Sequence, residues 1–195
     1  MKKRHIVVLL PLIFLLTACG VAQLPWAPDD RVQRAAYRAP EPTSITLMTV
    51  VANGNNSAGH SALLINASQR VIYDPAGTWY HRDVPERADL LYGLTPKLLQ
   101  YYLDYHARKE FRVILQTKIV SPQVAEMALQ QAIANGASMN GMCAQNTSSV
   151  LSRLPGFEGF PVGLWPKDAI KGMAAIPGVT AREEIQYDEG KDLKT

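Results

Sequence analysis

A chain of 195 residues, 47% hydrophobic and 19% charged, can bury roughly 70% of its unfolded surface in one core and is short for two. The formal charge of +3 is carried by Lys2, Lys3 and Arg4, without which the 20 basic residues fall to 17, equal to the 17 acidic ones. A chain so balanced offers no electrostatic footprint for nucleic acid, which is not expected as a partner.

Those three cations begin the chain with a positive segment. An almost unbroken apolar run from Ile6 to Leu16 follows, too short to span a bilayer stably, and Leu16-Thr17-Ala18-Cys19 closes it with small residues before a cysteine. The pattern resembles the lipobox of bacterial lipoproteins; an ordinary secretory signal with a chance cysteine is the alternative. The resemblance implies that residues 1–18 are a signal peptide and that Cys19 is lipidated, so that acyl chains tie the protein to a membrane. The expected location is the cell envelope. Gly20 after the lipid cysteine resembles release to the outer membrane, facing the periplasm, in a cell with two membranes.

Residues 19–43, interrupted by Pro25, Pro28, Pro40 and Pro42, read as an extended tether. From Ser44 the composition turns β-branched, predicting a strand over 45–51, a loop at Asn53-Gly54-Asn55-Asn56, a second strand over 60–65 and a third over about 70–74, closed by Asp74-Pro75-Ala76-Gly77. Thr95-Pro96 opens a helix with Leu98, Leu99, Tyr102, Leu103 and His106 at helical spacing. A fourth strand is expected over 111–120. Ser121-Pro122 caps a helix presenting Val124, Met127, Ala128 and Ile133, ended by Asn135-Gly136. The last predicted helix starts near Cys143 and turns Thr147, Val150, Leu151 and Leu154 inward. Strands first and helices after them give an α+β domain over residues 44–180, an antiparallel sheet packed with helices, followed by a polar tail over 181–195.

The two cysteines are Cys19 and Cys143. If Cys19 carries lipid, Cys143 has no disulfide partner in the chain and is either buried inertly or used. Its position at a helix start favours the thiolate, and a nucleophilic thiol needs a base beside it. His60, on a strand bordered by glycine and apolar residues, suits a base held in place. His81 and His106 read as structural or surface residues. Tyrosines on the 96–106 helix read as covering a core with their hydroxyls in water, and Trp79 and Trp165 as packing residues. A third group would orient His60. If the turn after Ile65 is Asn66-Ala67-Ser68, paired residue numbers sum to 134 and His60 faces Asp74. A five-residue turn keeps them on one face displaced by two, and even-numbered turns separate them. Forming the Asp-Pro-Ala-Gly turn is the other reading of Asp74.

Gly59-His60-Ser61-Ala62-Leu63-Leu64-Ile65, followed by Val71-Ile72-Tyr73-Asp74 and by Cys143 at a helix start, resembles the NlpC-type papain-like cysteine peptidases. The cysteine comes 83 positions after the histidine, which is similar to the circularly permuted branch that includes lecithin retinol acyltransferase-like enzymes. Leu164-Trp165-Pro166-Lys167-Asp168 looks like a Pro-x-Asp segment of that branch. The resemblance implies a papain-like fold in permuted order, with Cys143 as nucleophile, His60 as base and Asp74 as its orienting partner. It also implies a thiol hydrolase acting on a peptidoglycan stem peptide or an acyl lipid, with no metal or organic cofactor. The family's third residue is most often His, Asn or Gln, so Asp74 rests on strand alignment alone. A non-enzymatic binding or assembly module on the same fold is the rival reading.

Overall fold

Residues 26–187 are described by the structure, a computed structural model; the predicted signal peptide, Cys19 and the end of the tail lie outside them. Within the stretch expected as tether, Asp29–Ala35 forms the short helix α1, opened by Pro28 and carrying Asp29 and Asp30 in its first turn, where the helix dipole favours acids. The strands β1 (Ser44–Ala52), β2 (Ala58–Asn66) and β3 (Arg70–Tyr73) follow as the β-branched runs require. Two shorter strands, β4 (Glu86–Arg87) and β5 (Leu90–Tyr92), come next. Helix α2 (Pro96–His106) begins with the Thr95 side chain accepting from the Leu98 N–H. After it come β6 (Phe111–Ile119), α3 (Pro122–Asn135), α4 (Cys143–Leu151), α5 (Pro166–Ala175) and β7 (Val179–Ile185).

The seven strands make one antiparallel sheet in the order β4-β5-β3-β2-β1-β6-β7, so the domain is α+β as expected. β1 is the centre of pairing and is buried over nearly its whole length, because both faces of the sheet are covered. Odd-numbered residues such as Ile45, Leu47, Leu63 and Ile65 pack beneath α3, α4 and α5. Even-numbered ones such as Met48, Ala62, Leu64 and Ile72 pack with Tyr102 and Leu103 of α2. Each large apolar side chain so enclosed contributes about 1.5–3 kcal/mol.

Three expectations change. The sheet runs on to Ile185, seven residues of β7 standing partly where a polar tail was expected. α5 follows the helix expected to be last. The inward face of α3 is Ala125, Ala128, Leu129 and Ala132, while Met127 and Ile133 are exposed; small alanines let this helix sit close to the sheet and its larger residues turn out. No helix among the described residues is long and apolar enough to cross a membrane.

Candidate active site

β2 and β3 pair Asn66 with Arg70 and Leu63 with Tyr73. The connecting loop is therefore Ala67-Ser68-Gln69, one residue later than the three-residue turn considered from sequence. His60 and Asp74 share a face but are displaced by two, the geometry foreseen for a longer turn. A β-bulge in the pairing of β1 and β2, where Val50 meets His60 but Val51 meets Ala58, lies just before His60. Bulges re-aim the side chains beside them, and here the imidazole spans the offset.

His60 Nε2 lies 2.6 Å from Asp74 Oδ1. The ionised carboxylate can only accept, so Nε2 carries the proton and Nδ1 is the ring nitrogen left for Cys143. The Tyr102 hydroxyl donates to the same Oδ1 at 3.0 Å. Both readings of Asp74 hold together: its side chain binds His60 and Tyr102 while its carbonyl accepts from the Gly77 N–H at 2.9 Å, closing the turn. Tyr102 does not hold its hydroxyl in water; it is 2% exposed, and no periodicity argument could have identified the acceptor.

Cys143 is the first residue of α4, whose Met142 N-cap makes no side-chain capping bond. The N–H groups of its first turn therefore remain directed at the helix mouth. The thiol faces His60 and Ser61. Burial pushes the Cys143 thiol up, but the His60 hydrogen bond and charge, with the N–H and hydroxyl of Ser61, outweigh it and bring the thiol below its ordinary value. Burial opposes charge on His60 too, yet Asp74 and Cys143 raise its pKa from 6.5 to about 10. Burial pushes the Asp74 carboxyl up; His60, His106 and Tyr102 overcome that and hold it below the usual carboxylate range. All three shifts run in the direction that favours a thiolate beside an imidazolium, with Asp74 ionised behind them. Ser61, fully buried and hydrogen-bonded to Thr147 of α4 at 3.1 Å, is a site neighbour that sequence reasoning missed.

His106 also belongs here. Its ring stacks parallel to His60 at 6.1 Å and tilts against Tyr102 at 4.3 Å, and its Nδ1–H donates to the Tyr102 carbonyl at 2.8 Å. Burial lowers its pKa, keeping it neutral beside the charged His60. On the far side of this ring layer lies a cleft of about 480 Å³ between α2 and the 79–83 loop. Its wall is a stack of Trp79, His81 and Tyr101, with Lys97 over the Tyr101 ring. Trp79 touches Tyr102 edge-on at 5.3 Å, so one layer of side chains separates cleft and Asp74. The cleft does not include Cys143 or His60. Trp165, expected to pack, is 71% exposed; Pro166 beside it starts α5, and Asp168 meets Lys171 at 3.6 Å.

Gly77 has a steric task. A Cβ there would stand 2.0 Å from Asp74 Oδ2. Gly77→Ala is expected to displace the carboxylate from His60 and to lower Tm by roughly 2–12 °C, an overpacking cost of about 1–3 kcal/mol. Gly54→Ala, whose Cβ meets nothing within 4 Å, is the control in the same thermal melts. Equal Tm values for the two variants would show that the carboxylate has room to move.

No family model, curated protein or solved structure matches the chain. The site therefore stands on its geometry.

Proposed function

We propose that this protein is a thiol hydrolase of the cell envelope that cleaves a peptide amide through Cys143, His60 and Asp74. The observation that carries the reading is the 2.6 Å contact of His60 Nε2 with buried Asp74, which leaves Nδ1 to the thiol at the start of α4. The Cys143 thiolate attacks the carbonyl carbon, and the oxyanion that forms is met by the backbone N–H of Cys143. The imidazolium gives its proton to the leaving amine as the C–N bond breaks, leaving a thioester. Neutral His60 then takes a proton from water, the hydroxide displaces the thiolate, and a carboxylic acid leaves. The order of elements, histidine strand before cysteine helix, supports a circularly permuted papain-like, NlpC-type fold. Lipid on Cys19 would hold the protein to its membrane.

The cleft does not reach Cys143, so it bears on the substrate only as a subsite for a part remote from the scissile bond, and in that place it suits a peptide better than an acyl chain. Leu98 is the single aliphatic side chain among the lining residues, the others being aromatic, charged or polar, whereas an alkyl chain calls for an apolar tunnel. The charged Arg82, Asp83 and Lys97 of the lining would meet the charged groups of a peptidoglycan stem peptide. The second reading, a binding module on the same fold, draws on the 6% exposure of Cys143, which limits access to the sulfur.

The deciding experiment mixes the protein with the p-nitrophenyl ester of an N-acylated amino acid. A burst of about one equivalent of nitrophenolate is expected, with an acyl adduct on Cys143 by mass spectrometry that is absent from Cys143→Ala. No burst and no adduct would leave the binding module.

A further inference from the structure

Among the described residues four that are not glycine have positive φ, and three of them gather at Asp89: Ala76 (φ 59°), whose N–H it binds, its neighbour Ala88 (φ 52°) and Asp89 itself (φ 62°). β4 and β5 pair Glu86 with Leu91 and Arg87 with Leu90, so Ala88 and Asp89 are the two central residues of a tight hairpin. Positive φ at both is the demand of a type I′ turn, for which Asn-Gly is the relaxed sequence. Ala88-Asp89 breaks that local rule. Residues held in the left-handed region without a glycine persist where surrounding contacts over-determine them, commonly at functional sites.

Those contacts run to both halves of the site. Asp89 is 5% exposed, and its Oδ2 accepts from the Ala76 N–H at 2.9 Å and from the Ser138 N–H at 2.8 Å. Its carbonyl accepts from the Asp74 N–H at 2.8 Å. Ala76 lies in the turn that carries Asp74. Ser138 lies in the loop that delivers Cys143 to α4, and Asn146 of α4 holds the same loop by donating to Ser138 Oγ and the Met142 carbonyl, each at 2.8 Å. One carboxylate oxygen therefore fixes the distance between the orienting acid's turn and the nucleophile's loop.

The geometry points to Asp89 as a positioning residue that sets the His60–Cys143 pairing without touching either side chain, an inference that rests on the hydrolase reading above. A hairpin role alone predicts that a residue better suited to the turn is harmless. A clamp predicts that such a residue relaxes the turn and loosens the site.

The test is the pH profile of iodoacetamide alkylation, read at Cys143 by peptide mass spectrometry in the full chain, for wild type, Asp89→Gly and Asp89→Asn. Glycine removes the φ penalty and both side-chain bonds; asparagine tolerates the same φ and keeps a neutral acceptor. Asp89→Gly is expected to stay folded by circular dichroism while the thiol's apparent pKa rises toward about 8.5 and alkylation at pH 7 slows about fivefold, with Asp89→Asn between it and wild type. A profile for Asp89→Gly that superimposes on wild type overturns the clamp and leaves the hydrolase reading intact. An ordinary thiol pKa in wild type overturns both. If Asp89→Gly does not fold, Asp89→Asn carries the test through hydrogen exchange at Ala76 and Ser138. Faster exchange at both with the thiol pKa raised supports the clamp; faster exchange with the pKa unmoved overturns it.

Discussion

Alkylation of Cys143 is expected to titrate below about 8.5, the ordinary thiol value, and to lose that behaviour in His60→Ala. The sign follows from the opposing influences on the sulfur. Burial alone raises the thiol pKa, and His60 leads the interactions that lower it, so removing the imidazole leaves only the N–H and hydroxyl of Ser61 to oppose burial. At pH 7 the variant's thiol is only a few per cent ionised, while a thiolate of higher pKa is intrinsically more nucleophilic. The two effects combine to a slowing on the order of tenfold. Slow wild-type reaction, unchanged by the substitution, would remove the thiolate–imidazolium pair and with it the hydrolase.

Asp74→Asn is expected to destabilise the fold by about 2–3 kcal/mol, a fall in Tm of roughly 4–12 °C. Breaking a buried ion pair costs more where the remaining charge cannot leave; His60 can shed its proton, which sets the lower figure. The cost depends on pH from both partners. Asp74 is held below its ordinary 3.8, so its contribution is present above that value and is lost as pH falls through the folded pKa. His60 is raised from 6.5 to about 10, so its contribution is complete below 6.5 and is lost as pH rises through about 10. The Tm difference between wild type and Asp74→Asn should be widest between roughly pH 4 and 6.5 and shrink toward pH 10. A difference that stays constant up to pH 10 would mean that His60 is not the charged partner.

The central strands were legible because their physics is local. Ile45-Thr46-Leu47-Met48 and its partners are β-branched or apolar runs bounded by turn residues, and Thr95-Pro96 and Ser121-Pro122 announce their helices by capping chemistry. β7 was not legible. Arg182, Glu183 and Glu184 suit an exposed edge strand that charge protects from further pairing, but they carry no alternation of apolar residues. α5 contains Gly172, a poor helix former whose missing side chain makes room for Pro161, 2.6 Å from where its Cβ would lie; that need belongs to tertiary packing. In the site, His60 and Cys143 were legible from residue type and context. Asp74 hinged on a one-residue difference in loop position. Tyr102, His106, Ser61 and Asp89 act through contacts between segments distant in sequence, which no local pattern records.

The parts of the site are gathered over very unequal spans of chain. His60 and Asp74 lie 14 residues apart on neighbouring strands, whereas the Ser61–Thr147 bond that seats α4 closes a span of 86. Short-range pairings form early and long closures late, because loop entropy must be overcome first. A chain emerging from its N-terminus thus has both partners of the His60–Asp74 contact in hand long before Cys143 docks. Until α4 is seated, Cys143 lacks the His60 and Ser61 contacts that lower its pKa, so the fall of that pKa would report the docking of α4.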